Sequence, residues 1–262
     1  PLPVEPGRVK VALRGLAALG FQGANVTVPH KQAIMKALCT DARNSVAPGA
    51  KESGAVNTIV VERSEDGTIA LSGHNTDVQG FVGALRQGGF EPQGNNAVVV
   101  GAGGAARAVV FGLLGAGISH IVVLNRTFER AQALVSGLCG EKDERLRALP
   151  LVPETLIESA RAADLLVNTT PLGMWPRVDG SIWPDAVPVP PHLTVFDLVY
   201  NPLETQLVRQ ARESGARTIE GLGMLALQGA LAFDMWTHHG PAIDEITGLM
   251  RAACERALPA RL

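Results

Sequence analysis

The run Val98-Val-Val-Gly-Ala-Gly-Gly-Ala-Ala-Arg107 constrains this chain more than any other stretch. A β-branched segment broken by a glycine turn and resumed by helix formers predicts a strand, a tight loop and a helix start. Such a loop leaves backbone N–H groups unpaired at the positive end of a helix dipole, where phosphate groups bind. Gly101, Ala102, Gly103, Gly104, Ala105 and Ala106 fit the G-x-G-x-x-G/A pattern. Alone the pattern is weak, because small residues also let a helix pack close on a sheet. Its context is what a dinucleotide requires: a strand before it, a helix after it and a second strand about twenty residues on.

The surrounding sequence repeats that grammar. Strand 97–101, helix 104–116, strand 120–126 and helix 128–138 read as a βαβα unit. A helix near 153–160, strands 164–170 and 194–199, helix 203–213 and a short strand 217–220 continue it. Such crossovers build parallel sheets. The segment 184–191, with four prolines, reads as a rigid surface loop.

Upstream, apolar residues at helical spacing predict a helix over 7–19, followed by a strand from Phe21 to Val28. Pro29 suits the first position of a helix running to Leu38, and Thr40 or Asp41 suits the cap of a further short helix before Pro48-Gly49. Runs 55–63 and 68–72, joined through Asp66-Gly67, predict a hairpin. Val78, Phe81, Val82 and Leu85 then mark one face of a helix. Gly223 to Trp236 is apolar nearly all round, as a helix buried between domains would be, and an amphipathic helix follows from Ile243. The predicted class is α/β, with two α/β domains flanking a cleft. A smaller, discontinuous substrate domain takes residues 1–76 and 223–262, and a Rossmann-like cofactor domain takes 77–222.

Apolar residues make up 46% of the 262, charged residues 18%, and the formal net charge is −2. That balance gives no electrostatic reason to seek nucleic acid or an anionic membrane. Residues 97–124 are hydropathic enough to suggest a membrane span, but their glycines and valine-rich ends fit strand–helix–strand better. The three cysteines, Cys39, Cys139 and Cys254, are scattered and form no CxxC pair, which fits a reducing compartment. His238 and His239 are adjacent, so a helix would point them to different sides, and no third ligand stands at useful spacing. No metal is expected.

The second strand of the βαβα unit sharpens the cofactor. An NAD site would end that strand in Asp or Glu, to accept from the ribose 2′-OH. Here it ends in Asn125-Arg126-Thr127, with Arg130 one turn on. Two guanidiniums and no carboxylate suit a 2′-phosphate, so NADP is preferred over NAD. The alternative is that both arginines are ordinary solvated residues at a helix start.

Asn25-Val-Thr-Val-Pro-His-Lys31 places polar residues at a strand end and a lysine at the next helix start. The helix dipole disfavours a cation there, which eases exchange of its proton. Asp77 opens another helix, either as a cap or as a functional carboxylate. A lysine and a carboxylate beside a nicotinamide could manage the proton that accompanies hydride transfer. Spacing cannot bring the two together.

Read in order, these motifs resemble one family. Asn25–Lys31, Gly54-Ala-Val-Asn-Thr58, Asn75-Thr-Asp77, Gly101–Arg107, Asn125-Arg-Thr127, Asn168-Thr-Thr-Pro-Leu-Gly-Met174, Asp197-Leu-Val-Tyr-Asn-Pro202 and Gly221-Leu-Gly-Met-Leu225 together are similar to the shikimate dehydrogenases, over nearly the whole chain. The resemblance implies a cytoplasmic, NADP-dependent oxidoreductase of aromatic amino-acid (chorismate) biosynthesis, reversibly reducing 3-dehydroshikimate to shikimate. It makes Lys31 and Asp77 the catalytic pair, with Thr27, Asn57, Tyr200 and Gln228 around the substrate. It gives the cofactor Gly101, Ala102, Gly103, Gly104, Ala105, Asn125, Arg126, Thr127 and Arg130, brings Leu198 and Gly221 to its nicotinamide end, and assigns Asp41 to its side as well. A homodimer is compatible with it, and His30 reads as local support.

Two alternatives accompany the resemblance. One is a quinate or dual quinate/shikimate dehydrogenase, since a single ring hydroxyl is a small discrimination problem. The other is a non-catalytic NADP-binding fragment. The family begins with a strand and helix carrying a Ser-x-Ser motif, whereas Pro1-Leu-Pro-Val-Glu-Pro6 matches the segment just after them. About 30–40 further residues, the size of one β–α unit, are expected upstream. A chain without them is expected to be weakened or inactive and still to bind NADP.

Overall fold

In the computed structural model, residues 1–139, 144–237 and 242–258 are described. The first part of the chain is α1 (Val9–Ala18), β1 (Gly23–Asn25), α2 (Lys31–Leu38), β2 (Ser45–Val46), α3 (Pro48–Ser53), β3 (Thr58–Arg63), β4 (Ile69–His74) and α4 (Thr76–Gln87). The strands form one mixed sheet in the order β1-β3-β4-β2, with the hairpin β3–β4 antiparallel and β2 parallel to β4. Val9, Leu13 and Leu16 of α1, Ile34 and Leu38 of α2, and Ile59, Val61 and Leu71 of the sheet close a core on one face.

Three local expectations change here. The strand expected over 21–28 is shorter, Gly23–Asn25, with flanking backbone bonds to β3 and the residue before it only at Gln22 and Val26. The helix expected from Pro29 begins at Lys31, because His30 N–H bonds Thr27 C=O and takes Pro29, after a cis Val28–Pro29 bond, into a turn. No helix fills 40–47; Asp41 instead accepts from the backbone N–H of Arg43 in a tight turn, and the short helix comes after it, with Pro48 at its first position.

The second part is β5 (Asn96–Val100), α5 (Gly104–Gly115), β6 (His120–Asn125), α6 (Phe128–Cys139), β7 (Leu146–Pro150), α7 (Pro153–Arg161), β8 (Leu165–Asn168), β9 (Thr194–Asp197), α8 (Gln206–Glu213) and β10 (Arg217–Glu220). These six strands are parallel in the order β10-β9-β8-β5-β6-β7, the doubly wound topology. The order reverses between β5 and β8, so the crevice beyond their carboxyl ends is where a ligand is expected. The sequence pattern does not announce β7, which forms the sheet edge. The 184–191 loop is more than a surface connection: it carries Val189 into the core beside the buried Trp183.

Two terminal helices, α9 (Gly221–Thr237) and α10 (Ile243–Ala257), complete the described chain. α9 lies against α4 at glycines: a Cβ on Gly80 would stand 2.9 Å from the Cβ of Gln228, and one on Gly83 would meet Leu227. α4 in turn reaches the six-stranded sheet, where Phe81 stacks on Phe196 of β9 with ring centroids 5.2 Å apart. This helix pair sets the mixed sheet beside the carboxyl edge of the parallel one. Among the described residues no helix is long and apolar enough to cross a membrane. His238 and His239 lie outside the described residues.

Candidate active site

Lys31 is the first residue of α2, and Asp77 is the second of α4. Their side chains meet: Lys31 Nζ donates to Asp77 Oδ2 at 2.5 Å, with only 14% and 8% of the two side chains exposed. What frees Asp77 for this is its neighbour. Asn75, not Asp77, caps α4, accepting the Asp77 N–H on its side-chain oxygen, while its own amide donates to Ser53 Oγ and Ala55 C=O. A cap by Asp77 itself would have turned the carboxylate back onto the helix.

The second carboxylate oxygen is set by Asn57. Thr76 N–H, which can only donate, bonds Asn57 Oδ1 at 2.8 Å, so the amide nitrogen must face the other way. It donates to Asp77 Oδ1 at 2.8 Å and to Thr76 Oγ1 at 2.9 Å, with Gln228 Oε1 at 3.3 Å. Thr58 Oγ1 also donates to Asn57 Oδ1. Gln228 is turned inward because its amide nitrogen is held by Leu225 C=O within α9. Lys31, Asn57, Asp77 and Gln228, drawn from four parts of the chain, therefore form one hydrogen-bonded cluster. Thr58 and Thr76, both fully buried beneath it, were not singled out in the sequence, although each adjoins a residue that was.

This cluster touches the glycine loop. A Cβ on Gly104 would stand 3.2 Å from Cδ of Lys31, so the lysine stem lies over the first residue of α5. Gly101, with φ +116°, bonds Leu124 C=O through its N–H, and any side chain there would collide with Thr169 Oγ1. Gly103 faces open space. The bare turn, its exposed helix start and Ala102 and Ala105 beside it make a cradle that fits a diphosphate.

Beyond β6, Asn125 Nδ2 bonds Thr127 C=O, and Arg126, Thr127 and Arg130 are exposed around the start of α6. Neither guanidinium is paired with a carboxylate among the described residues, which leaves both free for an anion. On the far side, Leu198 is half-buried and Gly221 packs so closely that a Cβ would strike Leu198 C=O. Tyr200 is exposed beyond it, and Thr27 is exposed on the turn before Lys31.

Asp41 stands apart. Arg43 bonds it through Nε, Nη2 and the backbone N–H, and this guanidinium holds the carboxyl at about 2, well below the usual range. Among the described residues no three His, Cys, Asp or Glu side chains group as metal ligands.

Two family models match the chain: "Shikimate dehydrogenase substrate binding domain" over residues 1–59 and "Shikimate / quinate 5-dehydrogenase" over residues 84–171. The NADP(+) shikimate dehydrogenase of Moorella thermoacetica is 46% identical over 255 residues, covering 95% of this chain and 81% of that protein. Shikimate 5-dehydrogenase from Thermus thermophilus, solved with NADP(H) and shikimate, superposes with TM-score 0.74 at 40% identity, covering 97% of this chain and 85% of that one. Quinate dehydrogenase from Corynebacterium glutamicum, solved with NAD, gives TM-score 0.79 at 32% identity over 93% and 82% of the two chains.

Proposed function

The chain belongs to the shikimate dehydrogenase family, and from that premise we propose that it is an NADP-dependent shikimate dehydrogenase. It reduces the 3-dehydroshikimate carbonyl reversibly to the shikimate hydroxyl. The observation that carries this reading is the contact between Lys31 and Gly104: a buried acid–base pair lies against the loop expected to hold the cofactor's diphosphate. The reaction needs its proton next to its dinucleotide.

When bound, NADPH supplies the hydride to the carbonyl carbon, and NADP takes it in the reverse direction. Lys31 Nζ gives the proton to the oxygen as it becomes a hydroxyl and takes one back in oxidation. Asp77 orients the ammonium through Oδ2, and Asn57 fixes the carboxylate through Oδ1. Thr27, Asn57 and Gln228 are assigned to the hydroxyls and carboxylate of the ring, and Tyr200 to the lining of the cleft. Gly101 to Ala105 take the diphosphate; Asn125, Arg126, Thr127 and Arg130 take the adenosine ribose and its phosphate; Leu198 and Gly221 flank the nicotinamide. Asp41 is assigned to the cofactor side on sequence pattern, and a cofactor hydroxyl would have to compete there with Arg43.

In this reading residues 1–76 with 223–262 form the substrate domain and residues 77–222 the cofactor domain. The enzyme works in the cytoplasm, in line with the free thiols of Cys39 and Cys254. The second reading is quinate oxidation, favoured by the likeness to a quinate dehydrogenase. Steady-state assays with shikimate and quinate, each with NADP and NAD, separate the two. Turnover is expected to be fastest with shikimate and NADP; faster turnover of quinate with NAD would reject the assignment.

A further inference from the structure

Asp197 ends β9 with none of its surface exposed, and the reaction described above does not use it. Its Oδ1 accepts from Asn168 Nδ2 at 2.9 Å and from Val199 N–H at 3.1 Å, and its Oδ2 accepts from Thr205 Oγ1 at 2.6 Å. Asn168 stands at the root of the loop after β8, and Val199 and Thr205 stand at the two ends of the loop between β9 and α8. Asn168 ends β8, and its oxygen takes the backbone N–H and hydroxyl of Thr170, which fixes the amide so that its nitrogen faces Asp197. Val199 follows Leu198, whose own N–H bonds Asn168 C=O at 3.0 Å. Thr205 caps α8 through Val208 N–H.

One carboxylate thus ties the carboxyl ends of two parallel strands to the start of the next helix. That is the rim on which Leu198 stands, backed by Gly221, and the Asn168 loop continues into Thr169, against which Gly101 packs. Burial pushes this carboxyl up to about 6 even though all three donors favour its charge. The carboxylate is kept despite that cost as the shared acceptor of three buried donors, each of which an apolar side chain would leave unpaired.

We propose that Asp197 is a positioning residue that holds the rim around Leu198 in place for the nicotinamide end of the cofactor. It touches neither substrate nor cofactor and acts through the backbone it anchors. The inference rests on the proposed reading, in which that end of NADP lies against Leu198 and Gly221.

The test compares the full chain with Asp197→Ala, Asp197→Asn and Thr205→Val. The readouts are KM for NADP, KM for shikimate, inhibition by 2′,5′-ADP, and the deuterium isotope effect with shikimate labelled at the reacting carbon. 2′,5′-ADP carries the phosphate end of the cofactor and lacks the nicotinamide. Asp197→Ala should raise KM for NADP about tenfold or more and enlarge the isotope effect, because a misplaced acceptor makes hydride transfer limiting. Inhibition by 2′,5′-ADP should stay within about twofold. Asp197→Asn should restore most of the loss, since its oxygen keeps two donors and its amide can donate to Thr205. Thr205→Val should fall between, and it decides the matter if the alanine variant fails to fold. A KM for NADP and an isotope effect like those of the parent chain would overturn the proposal. So would parallel weakening of NADP and 2′,5′-ADP, the mark of a merely structural role. A parent chain that turns over nothing with NADP fails at the functional reading itself and takes this proposal with it.

Discussion

Lys31 Nζ lies 2.5 Å from Asp77 Oδ2, although 46 residues separate them in sequence and each sits in the first turn of its own helix. Two largely buried opposite charges at this distance stabilise each other as a pair. Lys31→Met and Asp77→Asn should therefore each destabilise the fold, and the double variant should cost less than their sum. Urea unfolding of the four proteins measures the coupling, expected at about 1–3 kcal/mol. Additive losses would mean that the pair is not formed in solution.

In the proposed reading Arg126 and Arg130 carry the preference for a 2′-phosphate. A charge-assisted hydrogen bond is worth about 1.5–3 kcal/mol, so Arg126→Ala should raise KM for NADP roughly ten- to a hundredfold and leave KM for NAD nearly unchanged. The ratio of the two constants is the measurement. Equal effects on both would assign Arg126 to the fold of the turn.

Gly104 tests the junction of the two halves. A methyl group there would press on the Lys31 stem, with its Cβ 3.2 Å from Cδ. Relieving that contact moves the Lys31 stem by a few tenths of an ångström, and catalytic rate depends on such positioning more steeply than cofactor binding does. Gly104→Ala should lower kcat more than it weakens NADP binding measured directly by fluorescence titration. The reverse order would show that the residue serves only the diphosphate.

Asp197 gives a pH signature in stability. Its folded value of about 6 lies above the ordinary 3.8, because burial disfavours the charge. Between about pH 4 and pH 6 the unfolded chain has released this proton and the folded chain has kept it. Stability from this group therefore falls as pH rises through that window and is level above it, a difference of about 3 kcal/mol. Asp197→Asn removes the effect, so its stability relative to the parent should improve from pH 4 to pH 7. A difference that is flat with pH would contradict the burial cost.

The parallel sheet was legible because each of its units repeats one pattern, a valine-rich strand followed by a helix of matching length. β7 was not, because Leu146-Arg-Ala-Leu-Pro150 is short, carries a charge and ends in proline, as an edge strand can. Proline placed a helix start correctly in principle and at the wrong residue: Pro48 takes that role, while Pro29 lies in the turn closed by His30. In the cluster around Asp77, the motifs and the family resemblance named every member, but only the fold brings Asn57 to the Asp77 carboxylate and Gln228 to the Asn57 amide. The role of Asn75 as the cap was hidden for a related reason, since Asn75, Thr76 and Asp77 are all competent caps and tertiary partners choose among them. Asp197 lies within one of those motifs, yet nothing in a sequence reports that a carboxylate will be buried among three donors.

Lys31 is proposed to move the proton for a hydride transfer beside the glycine loop. The most direct measurement is the initial rate of NADPH formation from shikimate by the full chain and by Lys31→Ala, with NADP affinity measured alongside. The expected result is a loss in kcat of about a hundred- to ten-thousandfold with NADP affinity essentially unchanged. A variant that keeps the parent's kcat would contradict it.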